Sequence, residues 1–192
     1  MVLILLGKSC SGKDTVSAEL CKENATDRIV TYTTRPRRKG EIDGRSYHFI
    51  TDHEFTQMIA DGEFAEFKEY YPASGGVWRY GSVITDAEIN DDRKHVIILT
   101  PAGYRDVKKI FPHTDGIYSV YIECDDDILK ERLKNRHDDP SEAARRFEAD
   151  KKNFTGFEDE ADIVIDNGIV KPETTAELIT ELVKEEKRHR RK

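Results

Sequence analysis

Gly7, four intervening residues, Gly12 and Lys13 have the spacing that lets a chain wrap a phosphate. Glycines allow backbone N–H groups to turn inward around an anion, and a helix that follows aims its positive end at the same charge. Lys13 adds a mobile ammonium, so Gly7, Lys8, Ser9, Cys10, Ser11, Gly12, Lys13, Asp14 and Thr15 form a candidate phosphate-binding loop. The strict pattern has Ser or Thr directly after the lysine to touch a metal ion. Here Asp14 stands there and Thr15 follows, which leaves open whether a carboxylate or a hydroxyl faces the metal. Two arginine-rich clusters stand out on a chain of net charge −7: Arg35, Arg37, Arg38 and Lys39, and Arg132, Arg136, Arg145 and Arg146. Local arginines on an acidic protein suit a small polyanion, while the overall sign argues against nucleic acid as a general partner. Arg145 reads as a solvent-facing helix charge.

The elements that must position these residues follow from apolar periodicity. Residues 2–6 are aliphatic and stop at a glycine, as a buried parallel strand does, and Val16, Leu20 and Cys21 give the next helix its apolar face. Residues 29–33 read as a strand that runs into a loop broken by Pro36, Gly40 and Gly44. Strands are expected at 47–50, 64–71 and 78–83, with a short helix capped by Asp52 between the first two. From residue 95 onward, strands (95–99, 117–122, 163–165) alternate with helices (102–111, 126–135, 141–153, 173–188). The fold class is α/β: a parallel sheet with helices on both faces, a small mixed-β module and a helical lid hinged near Pro140.

The 192 residues suffice for one domain with a real core, and no apolar run has the length of a membrane helix. The apolar start is too short for a leader and lacks its basic flank. Three cysteines without CxxC spacing read as free thiols in a reducing cytoplasm, and the six histidines form no metal-ligand pattern.

Beyond the loop, the blocks TTRPRRKGEIDGRSYHF, GEFAEF, YGS, ERLKNR, RRF and VIDNG occur in an order that resembles the guanylate kinases. The resemblance runs nearly end to end. It implies a P-loop NTPase-like core (1–33, 85–131, 147–192), an acceptor nucleotide module (34–84) and a lid (132–146). It also implies ATP-dependent phosphorylation of a nucleoside monophosphate, GMP or dGMP, with Mg²⁺. Carried over residue by residue, Arg35, Arg38, Tyr47 and Tyr80 would hold the acceptor's phosphate. Glu66 would read guanine through its N1–H and N2–H donors, and Thr31 and Ser82 would place hydroxyls near the base. Lys13, Arg132, Arg136 and Arg146 would gather on the donor triphosphate, and Asn167 would lie near the donor adenine.

The family ends its central strand with two aspartates separated by one residue. Ile98 and Thr100 stand at those positions, so Thr100 keeps one hydroxyl near the acceptor and Ile98 keeps no polar group. The stretch YPASGGVWR also lengthens the acceptor hairpin. A kinase with another acceptor, or a non-catalytic module that binds nucleotides or phosphorylated ligands, are the alternatives. The intact loop favours an enzyme.

Overall fold

The computed structural model describes every residue except 23–25, 73–74, 113, 135–139 and 191–192, with the backbone alone at 140–143. Strand β1 (Val2–Leu6) is buried along its whole length. A strand buried on both faces belongs in the middle of a covered parallel sheet. It lies third in the order β2 (Thr26–Arg28), β7 (Lys94–Ile98), β1, β8 (Ile117–Glu123), β9 (Ile163–Asp166), all parallel. Its alternate side chains feed two cores. Leu3 and Leu5 pack with Val16 and Leu20 of α1 (Lys13–Leu20) and with Ile179 and Val183 of α7 (Pro172–Arg190). Val2, Ile4 and Leu6 face Tyr104 and Val107 of α4 (Pro101–Ile110), with Phe154 and Phe157 completing that layer. This is the period of two that a strand imposes.

A second sheet, ordered β4 (His48–Phe49), β3 (Tyr32–Thr33), β6 (Trp78–Ser82), β5 (Glu66–Tyr70), forms the mixed-β module. β3 pairs in parallel with β4 and antiparallel with β6, and β5 pairs antiparallel with β6. Helix α2 (Asp52–Ala60) covers its far face, where Phe55 stacks on Phe64 at 4.5 Å between ring centroids. The chain returns to the core through α3 (Asp86–Asn90), and α5 (Asp126–Lys134) and α6 (Pro140–Asn153) follow β8.

Three local expectations are corrected. The single strand at 29–33 is two: Ile29 still donates to the Val96 carbonyl of the core sheet, and Tyr32 and Thr33 already belong to the second sheet. The module's sheet therefore begins before residue 34. Thr51, not Asp52, caps α2, because its hydroxyl accepts from the Glu54 N–H while the Glu54 carboxylate accepts from the Thr51 N–H. Helix α3 was not expected, although Thr85 and Glu88 form the same reciprocal box. Among the described residues, no helix is long and apolar enough to cross a membrane.

Candidate functional site

The loop after β1 closes on a packed floor. A Cβ at Gly7 would stand 2.7 Å from the Ile122 carbonyl oxygen, so only glycine lets the loop leave the sheet there. Cys10 has a φ of 66° and Gly12 a φ of 96°, and this pair of left-handed residues turns the chain into α1. Underneath, the buried Asn167 carboxamide donates to the Ser11 carbonyl at 2.7 Å and accepts from the Thr175 hydroxyl at 2.7 Å. Asn167 is thus placed as a brace of the loop. Lys8 pairs with Asp126 at 2.7 Å, and Lys13 Nζ rests on the Lys8 carbonyl at 3.2 Å.

The loop opens onto a cleft of about 840 Å³ between the two sheets. That lies toward the upper end of small-molecule sites, roughly 300–1,000 Å³. Gly7, Ser9, Lys13 and Asp14 line it, and Thr15 does not, so the residue that faces the cleft after the lysine is the carboxylate.

On the opposite wall, Thr31, Arg35, Arg38, Tyr47, Glu66, Tyr80 and Ser82 all line the same cleft, and Ile98 and Thr100 line it from the end of β7, on the loop's own sheet. Arg35 is 4% exposed; its Nη2 donates to Glu41 at 2.6 Å and its Nη1 to the Pro36 carbonyl at 2.8 Å. The guanidinium lies over the Tyr47 ring at 5.4 Å, and Tyr47 meets Tyr80 edge-on at 5.9 Å. Glu41 also accepts from the Arg38 N–H at 2.7 Å, which fixes the loop carrying both arginines. Arg35 spends donors on Glu41, on the Pro36 carbonyl and on Tyr80, and has five in all.

Glu66 is the buried carboxylate of this wall, 6% exposed. Its Oε1 accepts from the Ser82 hydroxyl at 2.6 Å. Its Oε2 sits against the first turn of α4, where a Cβ on Gly103 would be 2.9 Å away. Burial raises its pKa above the ordinary carboxylate value, only partly offset by the Ser82 hydrogen bond. Thr100 turns its hydroxyl to the Gly103 N–H at 3.2 Å as the cap of α4, so its side chain serves the helix while lining the cleft.

The two lid arginines that are described part company. Arg146, on α6, lines the cleft. Arg132, on α5, is turned into the protein, donating to the carbonyls of Cys10 at 3.1 Å, Asn167 at 3.2 Å and Gly168 at 2.8 Å. It braces the phosphate loop from the side away from the cleft. Arg136 lies outside the described residues. Arg145 is exposed, as expected, but also bridges to the module: its guanidinium lies 5.8 Å from the Tyr70 ring centroid and donates to the Tyr70 hydroxyl at 3.1 Å.

Sequence reasoning missed Asp150 and Lys68, both of which line the cleft. Asp150, on α6, accepts from the Ser9 N–H at 2.6 Å, a donor of the phosphate loop itself. Its position one turn beyond Arg146 was the available signal, since residues four apart share a helix face.

A sequence profile of the guanylate kinase family matches residues 1–186. A guanylate kinase of Lactococcus lactis is 32% identical over 97% of this chain and 88% of its own length. One from Clostridioides difficile is 30% identical over the same shares, 97% and 88%. Among solved structures, a guanylate kinase from Anaplasma phagocytophilum superposes with a TM-score of 0.72 over 97% of this chain and 86% of that one. At 22% identity, that likeness speaks for the fold alone.

The Asp150 carboxylate occupies the Ser9 N–H, so any phosphate that used the same donor would have to compete with it. Asp150→Ala is expected to tighten binding of a nucleoside triphosphate several-fold, read by calorimetric titration at neutral pH. Unchanged or weaker binding would show that the carboxylate does not stand in the anion's place.

Proposed function

The chain belongs to the guanylate kinase family, and from that premise we propose that its cleft transfers the γ-phosphoryl group of ATP to the phosphate of GMP. The observation that carries the acceptor is Glu66, a buried carboxylate with one oxygen tied to Ser82, on the same wall as two arginines and two tyrosines. Guanine offers N1–H and N2–H side by side to such a carboxylate. Adenine presents a bare acceptor at N1 and would leave the buried charge unpaired, which is how a site rejects an analogue strongly.

In the transfer, an oxygen of the GMP phosphate forms a bond to the γ-phosphorus. The bond from that phosphorus to the β–γ bridging oxygen breaks, and its electron pair leaves on ADP. The protein supplies position and positive charge. Arg35 and Arg38 hold the acceptor phosphate, whose two oxygens suit a guanidinium fork. Lys13 and the loop N–H groups hold the donor phosphates. Arg146 approaches from α6, while Arg132 keeps the loop in shape.

Mg²⁺ fits this site as an ion carried mainly by the substrate. Such ions use one or two carboxylates plus phosphate oxygens, and Asp14 is the carboxylate that faces the cleft beside Lys13. Asp14 would help hold the ion beside the donor phosphates, and the ion would supply positive charge against theirs. The described residues contain no cluster of three or more ligating side chains that would hold it alone. We place the protein in the cytoplasm, a reading supported by Cys10, Cys21 and Cys124 all being free thiols.

Measurements on the wild type and two variants check this reading. In a coupled ADP-release assay with ATP and Mg²⁺, turnover is expected with GMP and dGMP and not with AMP, CMP or UMP; turnover confined to another nucleotide would move the acceptor. Glu66→Gln is expected to lower kcat/KM for GMP by about two orders of magnitude, on the order of 2–3 kcal/mol for a charged hydrogen bond lost. Because burial raises the Glu66 pKa, the wild-type KM for GMP should rise as pH falls through a window above the ordinary carboxylate range, and E66Q should lack that rise. The same burial penalises the charged form in the folded state. Stability attributable to this group is therefore present below the window and lost above it, and E66Q should have the higher Tm at pH 7. Finally, Asp14→Ala should raise the Mg²⁺ concentration needed for half-maximal rate; an unchanged requirement would exclude Asp14 from the ion's shell.

A further inference from the structure

Lys68 stands on β5 two residues beyond Glu66, so both side chains leave the same face of the sheet, ~7 Å apart along the strand. The antiparallel register sets Lys68 opposite Tyr80 and Glu66 opposite Ser82. Directly opposed residues share a face, and all four line the cleft. From the other side, the charges of Lys13 on the phosphate loop and Asp150 on α6 both act on the Lys68 ammonium. Lys68 therefore occupies the seam between three groups: the carboxylate that reads the base, the wall that holds the acceptor's phosphate and the loop that holds the donor's.

Among the described residues, Lys68 has no hydrogen bond and no ion pair at contact distance. Lys68 keeps an exposed face to solvent, and the crowding of protein around its ammonium lowers its pKa below the ordinary lysine value; Glu66 and Asp150 oppose that shift and Lys13 adds to it. An ammonium in a cleft wall with carboxylates near it but none in contact keeps its donors available, and phosphates meeting at this seam offer acceptors to them. Nearby, Ile98 and Thr100 line the cleft from the end of β7 and carry no charge. The anionic oxygens of the transferring group thus face a cation from β5 and no carboxylate from β7.

We infer that Lys68 is a further catalytic residue, its ammonium contacting the phosphoryl group as it passes from the ATP γ-position to the acceptor phosphate. The inference rests on the ATP–GMP reading above and deepens it. A lysine suits the role because it is a compact point charge on a flexible stem, able to follow a moving phosphoryl group. Charge placed where it develops in the transition state acts on kcat more than on ground-state binding.

The test uses Lys68→Met and Lys68→Arg with two readouts: steady-state kinetics, and calorimetric binding of a bisubstrate compound that joins adenosine and guanosine through five phosphates. K68M is expected to lose about 100-fold in kcat, the scale of one electrostatic donor removed, with the KM for ATP little changed. It should bind the bisubstrate compound at least about tenfold more weakly, bind ATP alone normally and melt at the wild-type Tm. K68R should recover most of the rate. A K68M variant with wild-type kcat and wild-type bisubstrate affinity would overturn the inference while leaving the ATP–GMP reading intact. Equal losses in K68M and K68R, accompanied by a lowered Tm, would assign Lys68 a structural role and overturn it as well. Wild-type protein that neither phosphorylates GMP nor binds the bisubstrate compound would remove the reading and the inference together.

Discussion

The buried Asn167 carboxamide holds the phosphate loop in the shape on which the rest of the site depends. One end donates to the loop at Ser11, the other accepts from Thr175 in α7, and its own backbone N–H donates to Glu123 at the end of β8. A loop carrying two left-handed residues pays in backbone freedom and needs its surroundings to specify its course. Arg132 adds a contact to the loop at the Cys10 carbonyl and two to the segment that carries Asn167, at the carbonyls of Asn167 and Gly168. With its carbonyls engaged from below, the loop is left to present N–H groups to the cleft. In the structure, the Asp150 carboxylate takes the one at Ser9.

Across the cleft the organising constraint is different. Glu66 is a carboxylate placed in a site that disfavours its charge, relieved by the Ser82 hydroxyl and the charge of Lys68. Burying it without a full set of partners costs stability, and a base that supplies two N–H donors removes that cost on binding. The same logic applies to Arg35, nearly buried yet left with spare donors after Glu41, Pro36 and Tyr80 are satisfied. Both walls therefore hold polar groups whose remaining capacity matches a nucleotide. The sheets that carry these walls join at the chain crossing between β2 and β3, which sets donor loop and acceptor wall face to face.

Much of this was legible in the sequence because it follows from short-range signals. The aliphatic run of β1, the glycine spacing after it and the strand–helix alternation after residue 95 each point to one structure, and all appear in the fold. The arginine and tyrosine positions came from motif blocks, and the structure brings them to one cleft. Less legible was whatever depends on tertiary direction. Arg132 and Arg146 look alike as helix cations, yet one turns inward to carbonyls and the other outward to the cleft, because they sit on different helices. Asn167 carries no local hint that both ends of its amide are used in the core. The apparent strand at 29–33 has continuous β-forming residues, and only the competing edges of two sheets divide it. Lys68 reads as an ordinary solvated strand charge until the register sets it beside Tyr80.

In the proposed reaction, donor and acceptor occupy one cleft together and the phosphoryl group passes directly between them. Initial rates measured over a grid of ATP and GMP concentrations test it most directly. Double-reciprocal lines that intersect, with no ADP released before GMP is added, are the predicted result. Parallel lines, with a stoichiometric burst of ADP from ATP alone, would mean that the protein itself takes the phosphoryl group, and would contradict the account.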